Sequence, residues 1–168
     1  HLLKAVCAIL SLALVSFAQT KPDIIIFDEG DAGGTFYDAS WGNVTAPSTL
    51  TLGGGGPDKL IIDTVHHYTG NKSGLLQWKS VTGGDWKLFI ASLKWATINA
   101  TGYDSLVFFI NSRGAILPNQ MPTLGLETNT NTLSVLDSLG KYLSSGTDAD
   151  TTTWQRVTIP LTVFTGFN

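Results

Sequence analysis

The sequence predicts an all-β domain, an antiparallel β-sandwich or jelly roll. Three observations carry that prediction. β-Branched and aromatic residues recur in short runs that alternate with polar ones, as in "RVTIPLTV" at 156–163. Clusters of Gly, Asn, Asp and Ser break those runs roughly every ten to fifteen residues, the spacing of turns between short strands. After residue 20, no stretch sustains the i, i+3, i+4 apolar pattern of an amphipathic helix.

Taken in order, "DIIIFDEG" (23–30) reads as a β-branched strand stopped by acids and Gly30. "STLTL" (48–52) runs into "GGGGPDK", a loop by composition. "GLLQWKSV" (74–81) stops before Gly83-Gly84, and "DWKLFIASLKW" (85–95) follows. The second of these comes nearest to a helix, yet Trp86, Leu88 and Ile90 against Lys87 fit a period of two better. "YDSLVFFINS" (103–112) ends at Arg113-Gly114, and "PTLGLET" and "TLSVLDSL" are shorter runs. "TWQRVTIPLTVF" (153–164) is the last, with Pro160 predicting an edge or a bulge.

The first eighteen residues stand apart from this pattern. "HLLKAVCAILSLALVSFA" has one Lys, an apolar run, and small residues at the −3 and −1 positions of a cleavage site after Ala18. That is the plan of a secretory signal peptide, and the run is short for a ~20-residue membrane span. Cys7 lies inside the apolar run, which argues against a lipoprotein. The expectation is therefore a protein that is secreted, extracellular or held at the cell surface, with residues 1–18 removed and 19–168 forming one domain. That domain contains no cysteine, so its stability must come from a core or a bound ion.

Removing Lys4 leaves nine basic residues against thirteen acidic ones, a net charge of −4. With no basic stretch to neutralise phosphates, nucleic acid is an unsuitable partner. Nor does any known catalytic motif fit. "GNKSG" (70–74) has the wrong spacing for a nucleophile elbow. "GGGGP" lacks the Lys-Ser/Thr of a phosphate loop. His66 and His67 are adjacent, so on a strand they would point to opposite faces and could not share a metal. The thirteen acids include only two Glu, Glu29 and Glu127, and most acids occupy turn contexts where Asp is expected. A count of acids leaves open the two carboxyls that glycoside hydrolysis needs, but with no motif to place them the domain reads as lacking chemistry of its own. The sequons at Asn43, Asn71 and Asn99 arise easily in so Asn- and Thr-rich a chain.

Five tryptophans in one domain are the clearest ligand signal. An indole offers a flat apolar face with one polar handle, which suits the C–H face and polar rim of a sugar. Trp78 and Trp154 lie inside strong strand patterns and read as core. Tyr37, Trp41, Trp86 and Trp95 sit in or beside Gly-rich polar contexts, where surface and core are both open. With Glu127, the first three form the candidate sugar-binding set Tyr37, Trp41, Trp86 and Glu127. Separately, "IIIFDEGD" and "HHYTGNKSG" could supply oxygen ligands to Ca²⁺, or could simply be acidic and polar turns.

"YTGNKSGLLQW", "GYDSLVFFINS" and "TTTWQRVTIPLTVF" resemble successive strands of the galactose-binding-like jelly-roll carbohydrate-binding modules, nearest to family 11 and its relatives in families 4 and 30. The resemblance spans most of residues 23–168 through degenerate strand patterns. It implies a non-catalytic, secreted module that binds a polysaccharide and is linked to further domains, often a glycoside hydrolase. It also implies a structural Ca²⁺ near Asp28, Glu29, Thr69 and Asn71. The closing strand pair of that group has no counterpart in this sequence, so the resemblance implies a sheet edge left unpaired at the C-terminus. Two rival readings stand beside it: a structural or adhesion sandwich without a sugar site, and the N-terminal accessory part of a glycoside hydrolase. The structural reading predicts that Tyr37, Trp41, Trp86 and Trp95 are all buried; the binding reading predicts that at least two are exposed on one face.

Overall fold

In the computed structural model, residues 21–27, 40–53, 59–91, 96–147 and 152–166 are described. The chain is all-β, as its alternation predicts, with ten short strands and three single-turn 3₁₀ segments among the described residues. The strands are β1 (Trp41–Thr45), β2 (Thr49–Thr51), β3 (Ile61–Asp63), β4 (Ser73–Leu75) and β5 (Gln77–Lys79). They continue with β6 (Asp85–Phe89), β7 (Ser105–Ile110), β8 (Thr123–Leu124), β9 (Asp137–Ser138) and β10 (Gln155–Pro160). All pair antiparallel, in five two-stranded ribbons: β1 with β6, β2 with β5, β3 with β4, β7 with β10 and β8 with β9.

Two of these ribbons face each other in the first half. Leu50 and Leu52 press on Gly42 of β1, where a Cβ would collide with the Leu52 side chain. Trp78 of β5 meets Trp86 of β6 with ring centroids 5.6 Å apart. The turns at their ends are tied together through Ser48, whose Oγ accepts from the Val81 N–H at 2.9 Å. Gly42 inside a strand is thus explained by close packing, at the usual entropic cost of glycine.

The closed core lies in the second half. Val157 and Ile159 of β10 are fully buried, and their register partners on β7 are Phe108 and Leu106. Because side chains alternate across a strand, these four share one face. Met121, Leu139, Leu143 and Phe164, supplied by the 118–143 connection and the turn after β10, cover that face. Beside them a buried Asp137 accepts from the Tyr142 hydroxyl at 2.6 Å and from the Lys141 ammonium. Those two bonds lower the Asp137 carboxyl below its ordinary range, and the same contact raises the Tyr142 hydroxyl.

Several sequence expectations change here. "GLLQWKSV" is two strands with different partners, since β4 turns to β3 and β5 to β2. Trp41, expected in a loop, opens β1. The described part of "DIIIFDEG", residues 23–27, forms no strand, and Ile25 is exposed. That segment is fastened instead by side chains. Lys21 donates to the Thr101 carbonyl at 2.7 Å and sits 4.2 Å from the centre of the Tyr103 ring. Pro160 closes β10 opposite Ser105, in keeping with an edge position.

Candidate functional site

The alternation that sends Val157 and Ile159 into the core sends Arg156 and Thr158 to the opposite face of β10. Arg156 pairs with Phe109 in the ladder, so Phe109 of β7 also faces outward. Tyr68, from the loop between β3 and β4, lies flat on Phe109 with ring centroids 3.7 Å apart and planes 12° from parallel. Trp154, just before β10, stands beside Tyr68 at 6.2 Å and 58°, so the two rings form a corner. Tyr68 remains half exposed, because Phe109 covers only one of its faces.

This corner lines an open surface hollow of about 510 Å³ whose wall is made by Val65, His66, His67, Tyr68, Thr152 and Trp154. Asp63, the last residue of β3, organises the loop that builds it. Its Oδ1 accepts from the Val65 N–H at 2.8 Å and the His66 N–H at 3.2 Å, a turn in which the side chain stands in for backbone. Its Oδ2 meets His66 Nδ1 at 3.0 Å and lies 3.5 Å from the Arg113 guanidinium. Burial works to raise the Asp63 carboxyl, but the Val65 N–H, the His66 ring and the His66 N–H outweigh it and hold it at about 2. Ser73 Oγ donates to the His66 carbonyl at 2.5 Å and is therefore engaged away from the imidazole. The result is an aromatic corner bordered by polar groups, a surface suited to binding by stacking and hydrogen bonding.

The residues singled out from the sequence fall elsewhere. Tyr37 and Trp95 lie outside the described residues, as do Asp28 and Glu29. Trp41 is exposed and packs on Phe89 at 5.1 Å. Trp86 is half-buried on the other face of the same ribbon and donates to Ser80 Oγ at 3.1 Å. Glu127 is exposed in the second half, bridged to Leu133. The fold thus does not bring Trp41, Trp86 and Glu127 into one site, because ladder parity separates the tryptophans. Nor are all the candidate aromatics buried, since Trp41 is 42% exposed.

Trp154 is a correction: it is half-buried on the outer face and lines the cavity. It precedes Arg156 by two residues, so alternation itself places it opposite Val157 and Ile159. The two histidines are a second correction. Because 64–69 is a loop and not a strand, His66 and His67 line one cavity. Thr69 and Asn71 flank Gly70, which has φ +67°, in an exposed turn. Among the described residues, no three His, Cys, Asp or Glu side chains are grouped to hold a metal.

No known family model matches the chain, and no curated protein matches its sequence. Its fold is similar to part of a solved structure, a β-1,2-glucanase from Parabacteroides distasonis, with a TM-score of 0.63 and 21% identity. The match covers 77% of this chain and 18% of the glucanase. At that identity the likeness establishes the fold: an all-β antiparallel domain of a kind also found within a much longer protein.

Proposed function

We propose that this chain is a non-catalytic carbohydrate-binding domain, exported from the cell, that holds a polysaccharide against the Tyr68–Trp154 corner. The observation that carries this reading is Tyr68, stacked on Phe109 and half exposed over a cavity with imidazole and hydroxyl groups in its wall. A ring fixed from beneath loses little entropy when a sugar lands on its free face, and the polar wall can meet the sugar hydroxyls. Two of the segments that carry the resemblance to carbohydrate-binding modules contribute here: β7 supplies Phe109 beneath Tyr68, and Trp154 stands just before β10. Likeness to a small portion of a β-1,2-glucanase supports the same class of ligand and favours β-glucans for testing. It also supports an accessory role beside a glycoside hydrolase domain, where linkage would raise a modest affinity by avidity.

Affinity electrophoresis of the full chain against β-1,2-glucan, mixed-linkage β-glucan, xylan and mannan tests the reading. Retardation by at least one glycan is expected, and Tyr68→Ala should abolish it; a folded chain retarded by none would sink the proposal. Structural calcium near Asp28, Glu29, Thr69 and Asn71 remains part of the proposal, supported by the Thr69-Gly70-Asn71 sequence, whose residue types offer oxygen donors. It predicts a melting temperature that falls when calcium is removed with a chelator and returns when calcium is restored.

A further inference from the structure

The sugar-binding reading leaves open what, besides the stacked rings, would choose and orient the ligand. The wall of the cavity contains two histidines. One of them, His66, is anchored through its backbone and through one ring nitrogen. Its backbone N–H donates to Asp63 Oδ1 and its carbonyl accepts from Ser73 Oγ at 2.5 Å. Its Nδ1 lies 3.0 Å from Asp63 Oδ2, and the Arg113 guanidinium lies 3.5 Å from that same oxygen. A carboxylate only accepts hydrogen bonds, so a neutral imidazole facing it must carry its proton on Nδ1. The ring's remaining nitrogen, Nε2, is then an acceptor with its lone pair unspent on Asp63.

We infer that Asp63, paired with Arg113, sets His66 as a hydrogen-bond acceptor of the pocket wall, accepting from a hydroxyl of a glucan unit stacked on Tyr68. Asp63 is a positioning residue here, and His66 is the group that touches sugar. The inference rests on the sugar-binding reading and adds to it a polar contact with a defined direction. An acceptor at this point favours a pyranose that presents an O–H beside the ring's apolar face. It disfavours a substituent that lacks a donor, because the buried half of the interaction would then go unpaired. The loop loses little freedom on binding because Asp63 already holds it.

Two measurements on the full chain test this. Long-range ¹H–¹⁵N spectra at about pH 8, where an ordinary imidazole is neutral, should show His66 as the Nδ1–H tautomer. Asp63→Ala should mix the tautomers. Comparable populations of both tautomers in the unaltered chain would overturn the inference, whatever the glycan data show. In affinity electrophoresis with β-1,2-glucan and with mixed-linkage β-glucan, His66→Ala should weaken retardation roughly three- to tenfold, the loss of one hydrogen bond. His66→Gln, which restores an acceptor near Nε2, should recover part of it. If Tyr68→Ala abolishes binding but His66→Ala leaves it within about twofold, the sugar site stands and this role of His66 fails. If neither glucan retards the unaltered chain, the role of His66 fails with them.

Discussion

The β7–β10 ribbon and the facing pair of ribbons, β1–β6 and β2–β5, start from the same kind of sequence and reach different ends. Both alternate apolar with polar residues, and both carry tryptophan. In the second region the inward residues Val157 and Ile159 reach zero exposure, because the 118–143 connection lays Met121, Leu139 and Leu143 across them. In the first region Leu50, Trp78, Trp86 and Leu88 stay only half-buried, and Leu60, just before β3, is the one buried large apolar residue among those described in the first half. Alternation decides that a strand exists and which residues share a face. Whether that face becomes a core depends on a connection long and apolar enough to cover it.

The sharpest way to break this comparison is to cut the same kind of side chain from each region. Ile159→Ala should cost about 2–5 kcal/mol, since it removes buried methyl groups and leaves a cavity under Leu139 and Phe164. Leu50→Ala, on a half-buried position, should cost about 1 kcal/mol. Urea unfolding followed by tryptophan fluorescence measures both. Equal losses would mean that the first region is as closed as the second.

A second prediction concerns what stiffens the first region in place of a core. Gly84 lies where the β1–β2 turn meets the β5–β6 turn. A Cβ added there would come within 2.6 Å of the Thr45 carbonyl oxygen and 2.8 Å of the Pro47 nitrogen, both backbone atoms that cannot swing aside. Gly84→Ala should therefore destabilise by about 1–3 kcal/mol. At Gly114, beyond β7, an added Cβ meets nothing within 4 Å, so Gly114→Ala should be neutral or slightly stabilising. Thermal melts of the two variants separate turn-against-turn packing from a general intolerance of alanine.

The two regions also differ in how far the sequence discloses them. β2, β5, β6, β7 and β10 are legible from their β-branched and aromatic alternation. β1 is hidden because "SWGNVT" reads as a Gly-rich loop, although Gly42 is there to admit Leu52. The pocket is the least legible part. Tyr68 comes from a loop with no alternation, and its partner Phe109 lies on a strand far along the chain, so no local pattern pairs them. His66 and His67 both line one hollow in a loop that Asp63 bends at the end of β3, a turn that adjacency alone does not reveal. Trp154 was within reach, since its spacing from Val157 puts it on the opposite face; its setting in a strong strand pattern argued for the core.

The smallest predicted effect tests the junction between the two regions. Asp63 ends β3 in the first half of the chain, and its Oδ2 reaches Arg113 beyond β7, so one carboxylate ties the first half to the β7–β10 region. Its folded-state value is about 2, below its ordinary 3.8. A depressed carboxyl stabilises the fold fully above its unfolded value and loses that contribution as pH falls through the folded one. The Asp63 contribution should thus be complete above about pH 4 and fade toward about pH 2. Asp137, also depressed but confined to the second region, fades in the same direction, so acid melts of the unaltered chain alone would mix the two. The gap in melting temperature between the unaltered chain and Asp63→Asn isolates the junction, because Asp137 is common to both. That gap should be open near neutrality and narrow as the pH drops from about 4 to about 2. A gap that stays constant across this window would show that the two regions are joined by the Tyr68–Phe109 stack without help from the Asp63 charge.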